Sequence, residues 1–267
     1  VRRYANKIVW ITGASSGLGK SLAEVMAQKG WQVAASARNE AELQALEDWS
    51  DSKKGQIHSY PCDITDAGSV ETALANIRRD LGPIEMAVLN AGTHMPIKAV
   101  EFNAASFRKL IDVNLMGAVT CIDALLQDMV ARQTGHIAVV ASVAGYRGLA
   151  TASAYGMTKA GLINMCEAMK PELDLENVKM QVICPGFVRT PLTDKNDFPM
   201  PFLMEPDAAA KAFYKGLMSR KFEIIFPWQM GLLMKTLRLL PNWLFFPLAK
   251  NFIPDDKTDA ETEKASP

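Results

Sequence analysis

The chain has 267 residues, 49% hydrophobic and 22% charged, which suits an ordinary globular protein with one sizeable core. Lys+Arg and Asp+Glu both total 29, so no net field draws the protein to nucleic acid. The four cysteines (Cys62, Cys121, Cys166, Cys184) show no C-x-x-C spacing and the three histidines (His58, His94, His136) are scattered, which argues against a disulfide framework or metal centre and for free, buried thiols in a reducing cytoplasm.

Lys7-Ile-Val-Trp-Ile-Thr12 is a short apolar run that stops at a glycine-rich turn, as expected of a strand buried on both faces of a parallel sheet. The turn, Thr12-Gly-Ala-Ser-Ser-Gly-Leu-Gly19, leads into a helical pattern from about Leu18 to Lys29. Strand, glycine turn and helix form the setting of a dinucleotide-binding loop. In it Gly13, Gly17 and Gly19 let a pyrophosphate approach the backbone, with Ser15, Ser16 and Leu18 beside it and the helix N-terminus supplying N–H donors. An ordinary glycine-rich turn is the plain alternative. The second strand, Gln32–Ser36, is followed by Ala37 and Arg38, where enzymes that prefer the unphosphorylated cofactor carry an acid. An arginine can clamp a 2′-phosphate bidentately, so the residues favour NADP(H) over NAD(H); otherwise Arg38 is a solvated charge ahead of the next helix.

A third strand over Gln56–Pro61 ends at Cys62-Asp63-Ile64, where Asp63 can accept a hydrogen bond from an adenine amino group, and Asp66 is expected to cap the following helix. Glu85-Met-Ala-Val-Leu89 runs into Asn90-Ala91-Gly92, small and turn-forming residues suited to the floor of a ligand crevice. Glu101 to Val130 reads as a long helical stretch with a break, in which Asn114 is buried among apolar neighbours and needs partners. The fifth strand, His136–Ala141, enters Ser142 and a loop of small residues that also carries Tyr146 and Arg147. Tyr155 and Lys159 follow, four apart on the helix expected over Ser153–Leu175, so that they share a face. An ammonium there makes the phenol easier to ionise. A sixth strand, Val178–Cys184, stops at Pro185-Gly186. The irregular stretch to Glu205, with Phe187, Phe198 and Phe202, reads as a lid over an apolar substrate. A helix over Pro206–Ser219 and a strand over Phe222–Phe226 complete a single doubly wound α/β domain, a seven-stranded parallel sheet with helices on both faces.

Beyond it, residues 228–254 form an apolar helical extension whose Lys235, Arg238 and Asn242 make a narrow polar stripe. Two prolines and the basic residues argue against a spanning helix. The segment is read as packing on its own domain or across a subunit interface; a helix lying on a membrane surface through 228–252 is the alternative. Residues 255–267 are polar and expected to be disordered.

Thr12-Gly13-x-x-x-Gly17-x-Gly19, Asp63, Asn90-Ala91-Gly92, Asn114, Ser142, Tyr155-x-x-x-Lys159, and Pro185-Gly186 with Thr190 stand in an order that resembles the short-chain dehydrogenase/reductase family over about residues 5–227. The resemblance implies a Rossmann domain over 1–227 and an NADP(H)-dependent oxidoreductase. Asn114, Ser142, Tyr155 and Lys159 would be its catalytic set. Tyr155 would exchange a proton with the substrate oxygen, Lys159 would bond the nicotinamide ribose, Ser142 would hold the substrate oxygen and Asn114 would support a water relay. Pro185, Gly186, Val188 and Thr190 would flank the nicotinamide, and the assembly would be a homodimer or homotetramer. The apolar segments point to a hydrophobic ketone or alcohol, with Ser142, Tyr146, Tyr155, Phe187, Phe198 and Phe202 against it. An epimerase or dehydratase on the same fold and a non-catalytic NADP(H) sensor are the competing readings.

Overall fold

The computed structural model describes residues 4, 7–191, 193, 200–250 and 253. Among them, seven short strands pair into one sheet: β1 (Ile8–Thr12), β2 (Gln32–Ser36), β3 (Ile57–Ser59), β4 (Met86–Leu89), β5 (Gly135–Val140), β6 (Val178–Pro185) and β7 (Glu223–Phe226). The strand order is β3-β2-β1-β4-β5-β6-β7, and every pairing is parallel. The chain works outward from β1 to β3 and then returns to place β4 on the other side of β1. That reversal opens a crevice beyond the carboxyl ends of β1 and β4.

The side chains explain why both faces are covered. Successive residues of a strand point to opposite faces. On β1, Ile8 and Trp10 enter one core layer while Val9 and Ile11 enter the other; on β5, Ile137 and Val139 are separated from Ala138 and Val140 in the same way. The first layer is closed by α3 (Ala67–Asp80), α5 (Gly117–Ala131) and α6 (Ser153–Leu175), through residues such as Leu74, Leu125 and Leu162. The second is closed by α1 (Gly17–Gln28), α2 (Glu40–Ser50) and α7 (Pro206–Leu217), through Leu22, Leu43 and Phe213. Local chemistry fixes the helix starts: the Asn39 side chain accepts from Glu42 N–H (3.2 Å) and that of Asp66 from Gly68 N–H (2.9 Å).

The long helical stretch is broken in two ways. The Asn103 side chain caps α4 (Ala104–Leu110), and a π-helical segment over Ile111–Met116 joins α4 to α5. After β7, Pro227 opens α8 (Trp228–Leu239), and Pro241 stands between it and α9 (Asn242–Lys250). Met230 and Met234 of α8 join the first core layer. The α8 backbone packs so closely on the Ile225 side chain of β7 that a Cβ on Gly231 would lie 2.5 Å from Ile225 Cγ2. The polar tail 255–267 lies outside the described residues.

Candidate active site

The glycine turn is held by a strict steric fit. Gly13 (φ +67°) and Gly17 (φ +53°) occupy the left-handed region, where a side chain is strained. A Cβ on Gly13 would come within 2.7 Å of Ala91 Cα, and one on Gly19 within 2.2 Å of the Gly13 carbonyl oxygen. Asn90, at the end of β4, braces the turn from the neighbouring strand. Its N–H donates to Thr12 Oγ1 (3.0 Å), and its side-chain amide donates to the carbonyls of Thr12 (3.1 Å) and Gly13 (3.2 Å). Ser16, at the N-cap of α1, makes no side-chain capping hydrogen bond, and the first turn carries no acid. The helix start therefore remains suited to an anion. This cradle fits the pyrophosphate of a dinucleotide.

A cavity of about 1540 Å³ begins at this turn. Gly13, Ser15, Ser16, Gly17, Leu18 and Gly19 line one end, with Arg38, Asp63 and Ile64 beside them. Asn90, Ala91, Gly92, Ser142, Tyr155, Lys159, Pro185, Gly186, Val188 and Thr190 line its middle. Arg38 is exposed at the rim. Asp63 Oδ1 accepts from Thr65 N–H (2.9 Å) and Oγ1 (2.7 Å), and these bonds hold its carboxyl below the usual range. The far end is apolar, walled by Met230, Leu233, Met234, Leu237, Phe245 and Leu248 of the two C-terminal helices. A volume this large exceeds that of most single-ligand pockets, in keeping with room for a dinucleotide and a second molecule.

The expected catalytic residues converge in the middle of the cavity. Asn114 stands behind its wall rather than on it. From the π-helical segment its Oδ1 accepts from Thr93 N–H (2.7 Å), while its Nδ2 donates to Thr93 O (2.9 Å) and Thr158 Oγ1 (3.3 Å). Thr158 Oγ1 in turn donates to the Tyr155 carbonyl (2.7 Å). Asn114 thus ties the segment after β4 to the helix that carries Tyr155. A Cβ on Gly92 would lie 3.2 Å from Asn114 Oδ1 and 3.6 Å from Lys159 Nζ, so a larger residue here would crowd Asn114. Lys159 is buried (4% exposed) and donates to Val140 O at 2.8 Å.

The electrostatics differ from the expectation that Lys159 eases ionisation of Tyr155. Burial pushes the Tyr155 phenol up, and a hydrogen bond with Ser142 offsets part of that rise. Burial also lowers the Lys159 ammonium to about 8. The physical reason is that the surrounding protein strips water from both groups. Lys159 Nζ lies 5.6 Å from the Tyr155 ring centre and spends a hydrogen bond on Val140.

The expected substrate contacts divide. Ser142, Tyr155 and Phe187 line the cavity. Tyr146 does not: it is buried, and its hydroxyl donates to Glu223 Oε1 at 2.5 Å, with Lys235 of α8 paired to the same carboxylate. The next residue, Arg147, donates to Asn242 Oδ1 (2.7 Å), and its guanidinium lies 4.2 Å from the centre of the Phe245 ring. Two consecutive loop residues therefore grip α8 and α9, one each. Phe202 is half exposed (48%), has φ +58° and does not line the cavity. Phe198 lies outside the described residues. Sequence reasoning missed His94, which lines the cavity with its ring edge-on to Tyr155, the centroids 4.7 Å apart. The available signal was its place two residues past Asn90-Ala91-Gly92, at the carboxyl end of a central strand. All four cysteines are buried and free.

Known proteins fit this architecture. The sequence model of the short chain dehydrogenase family matches residues 7–199. An uncharacterised oxidoreductase of Myxococcus xanthus is 37% identical over 240 residues, covering 90% of this chain and 95% of its own. A 3-oxoacyl-[acyl-carrier-protein] reductase of Thermotoga maritima is 30% identical over 193 residues, 72% of this chain and 78% of its own. Among solved structures, a short-chain dehydrogenase of Sphingobium yanoikuyae in complex with NADPH superposes with TM-score 0.75 at 26% identity, over 88% of this chain and 96% of its own. One from Burkholderia phymatum in complex with NAD reaches TM-score 0.80 at 19% identity, over 88% and 94% of the two chains, a likeness of fold. With a matching family model across most of its length and this glycine turn at the head of its sheet, the chain belongs to the short-chain dehydrogenase/reductase family of oxidoreductases.

Proposed function

We propose that the protein moves a hydride between NADP(H) and a carbonyl or alcohol group of a hydrophobic small molecule. The observation that carries this reading is one continuous cavity: it joins the glycine cradle, then Ser142, Tyr155 and Lys159, then an apolar chamber under α8 and α9. The nicotinamide, when bound, supplies or accepts the hydride. The chain's own residues do the rest. The glycine turn and the start of α1 would hold the pyrophosphate, and Lys159 the nicotinamide ribose. Ser142 would orient the substrate oxygen beside Tyr155. Tyr155, kept protonated by the desolvation of its phenol, would give its proton to that oxygen in reduction and recover it through Lys159. In oxidation the proton would run the other way. Asn114 would position this pair by fixing Thr93 and Thr158.

NADP(H) is favoured because Arg38 stands at the rim near the adenosine end and residues 37–39 hold no acid. NADPH in the Sphingobium yanoikuyae enzyme supports this choice, while NAD in the Burkholderia phymatum protein leaves both cofactors within the fold's range. A nucleotide-linked sugar, the usual substrate of epimerases on this fold, would meet leucine, methionine and phenylalanine where it needs polar partners. The test is Tyr155→Phe with a panel of ketones graded by chain length. The variant should bind NADPH like the wild type and lose turnover by roughly two orders of magnitude or more. Turnover near wild type would remove Tyr155 from the chemistry.

A further inference from the structure

The outer surface of α8 and α9 reverses the pattern of a solvated helix. On α8, Met230, Met234 and Leu237 turn inward, at i, i+4 and i+7. The opposite stripe should be polar. Instead it carries Trp228 (69% exposed), Leu232 (62%) and Leu239 (84%). On α9 only Phe245 is buried, while Trp243 and Phe246 stand out on one side. Lys235 lies among them on the α8 stripe, and exposed apolar side chains this dense mark a surface that something covers.

Three observations identify the occupant. First, residues 228–250 contain no Asp or Glu, while Arg238 and Lys250 are exposed among the apolar side chains and Lys235 is paired with Glu223. In a chain with no net charge, this segment is locally cationic. Second, each helix carries an exposed tryptophan in its first turn, an amphipathic ring suited to the headgroup level of a bilayer. Third, the face and the cavity are continuous: Leu233, Leu248 and Ile253 are exposed and also line the chamber. A second protein copy seated there would close the chamber's mouth, whereas a lipid surface would open onto it.

We infer that α8 and α9 dock on an anionic lipid surface and that the apolar chamber takes its substrate from that surface through the mouth at Leu233, Leu248 and Ile253. Docking is independent of the proposed reductase activity; the passage of substrate rests on it. The grip of Tyr146 and Arg147 holds both helices over the cavity.

The experiment uses the full chain with vesicles of phosphatidylcholine alone or mixed with phosphatidylglycerol. The protein should float with the mixed vesicles, with a blue shift in tryptophan emission. With NADPH it should reduce a long-chain ketone dissolved in them about tenfold faster than the same ketone in detergent. Trp228→Ser/Leu239→Ser/Trp243→Ser, none of which lines the cavity, should cut flotation about tenfold and abolish the vesicle advantage. It should leave reduction of a water-soluble ketone unchanged. Arg238→Glu/Lys250→Glu keeps the apolar face and guards against a folding defect; it should lose the preference for phosphatidylglycerol. Wild-type protein that stays out of both vesicle types overturns the inference. So does a homo-oligomer, seen by sedimentation, that the triple variant dissociates, since the face would then join copies of this chain. Flotation without reduction of any ketone overturns the reductase reading and the substrate route, and leaves docking in place.

Discussion

Gly19→Ala tests the cradle most directly, because two forces oppose each other there. Gly19 lies in the first turn of α1, where alanine normally gains up to about 1 kcal/mol over glycine. The added Cβ would lie 2.2 Å from the Gly13 carbonyl oxygen and 2.5 Å from Asn90 Nδ2, far inside any tolerated contact. Neither atom can yield alone, since that carbonyl accepts from that same amide. Overpacking of this kind costs about 3 kcal/mol at the upper end of the usual range. The net loss is then about 2 kcal/mol, or roughly 4–8 °C in Tm for a domain of this size. Shifting the turn also withdraws one charge-assisted contact from a bound pyrophosphate, which is about 10-fold to 100-fold in NADPH affinity. Thermal melting and a fluorescence titration with NADPH read the two effects. Gly148→Ala, whose Cβ would meet nothing within 4 Å, is the control and should melt within about 0.5 kcal/mol of the wild type. If Gly19→Ala melts at or above the wild-type temperature and binds NADPH equally well, helix propensity dominates and the steric account of the turn is wrong.

Arg38→Ala should weaken NADPH by about 10-fold to 100-fold and NADH by much less, read by parallel titrations, since only the former offers a 2′-phosphate; equal losses would remove Arg38 as the clamp. Lys159→Met should alter the pH dependence of stability. With its ammonium lowered to about 8 by burial, Lys159 holds fewer protons folded than unfolded between about 8 and 10.4, so wild-type stability rises with pH through that window. The penalty is fully present below pH 8, and the methionine variant should be more stable there by on the order of 3 kcal/mol, the gap closing as pH rises. Denaturant melts from pH 7 to 10 measure it, and a gap that widens with pH would refute the sign. His94→Phe keeps a ring against Tyr155 and removes both nitrogens. NADPH binding should hold, and kcat/KM for ketones should fall by about 10-fold if the imidazole bonds substrate, a loss that a role confined to ring packing would not produce.

How much was legible in the sequence follows the range of the interactions. The strand patterning and the Asp66 cap are decided by neighbours a few residues away and could be read directly; the glycine turn was legible from its own spacing, though Asn90, 77 positions from Gly13, braces it. Asn114 was recognisable as a buried amide needing partners, but its partner Thr93 is 21 positions distant and is supplied by topology. His94 escaped notice for the same reason, since β4 and α6 bring it to Tyr155. Tyr146 misled because an aromatic in a loop beside Ser142 suggests substrate, and nothing local reveals Glu223, 77 positions away. Phe202 misled through composition alone: an apolar stretch does not say which of its side chains turn inward. The direction of the Tyr155 shift depends on desolvation, which spacing does not encode.

The paired grip of Tyr146 and Arg147 has a consequence for redesign. Lys235, through Glu223, and Asn242 are the hinge pins on which the chamber roof hangs, and the loop that holds them also carries Ser142. A roof exchanged wholesale for that of a relative would drag on this loop and misalign the hydroxyl proposed to face the reacting oxygen. With those pins retained, Leu233, Leu237 and Leu248 become interchangeable tiles. Their size could be varied to suit substrates of different girth while the chemistry beneath stays in register.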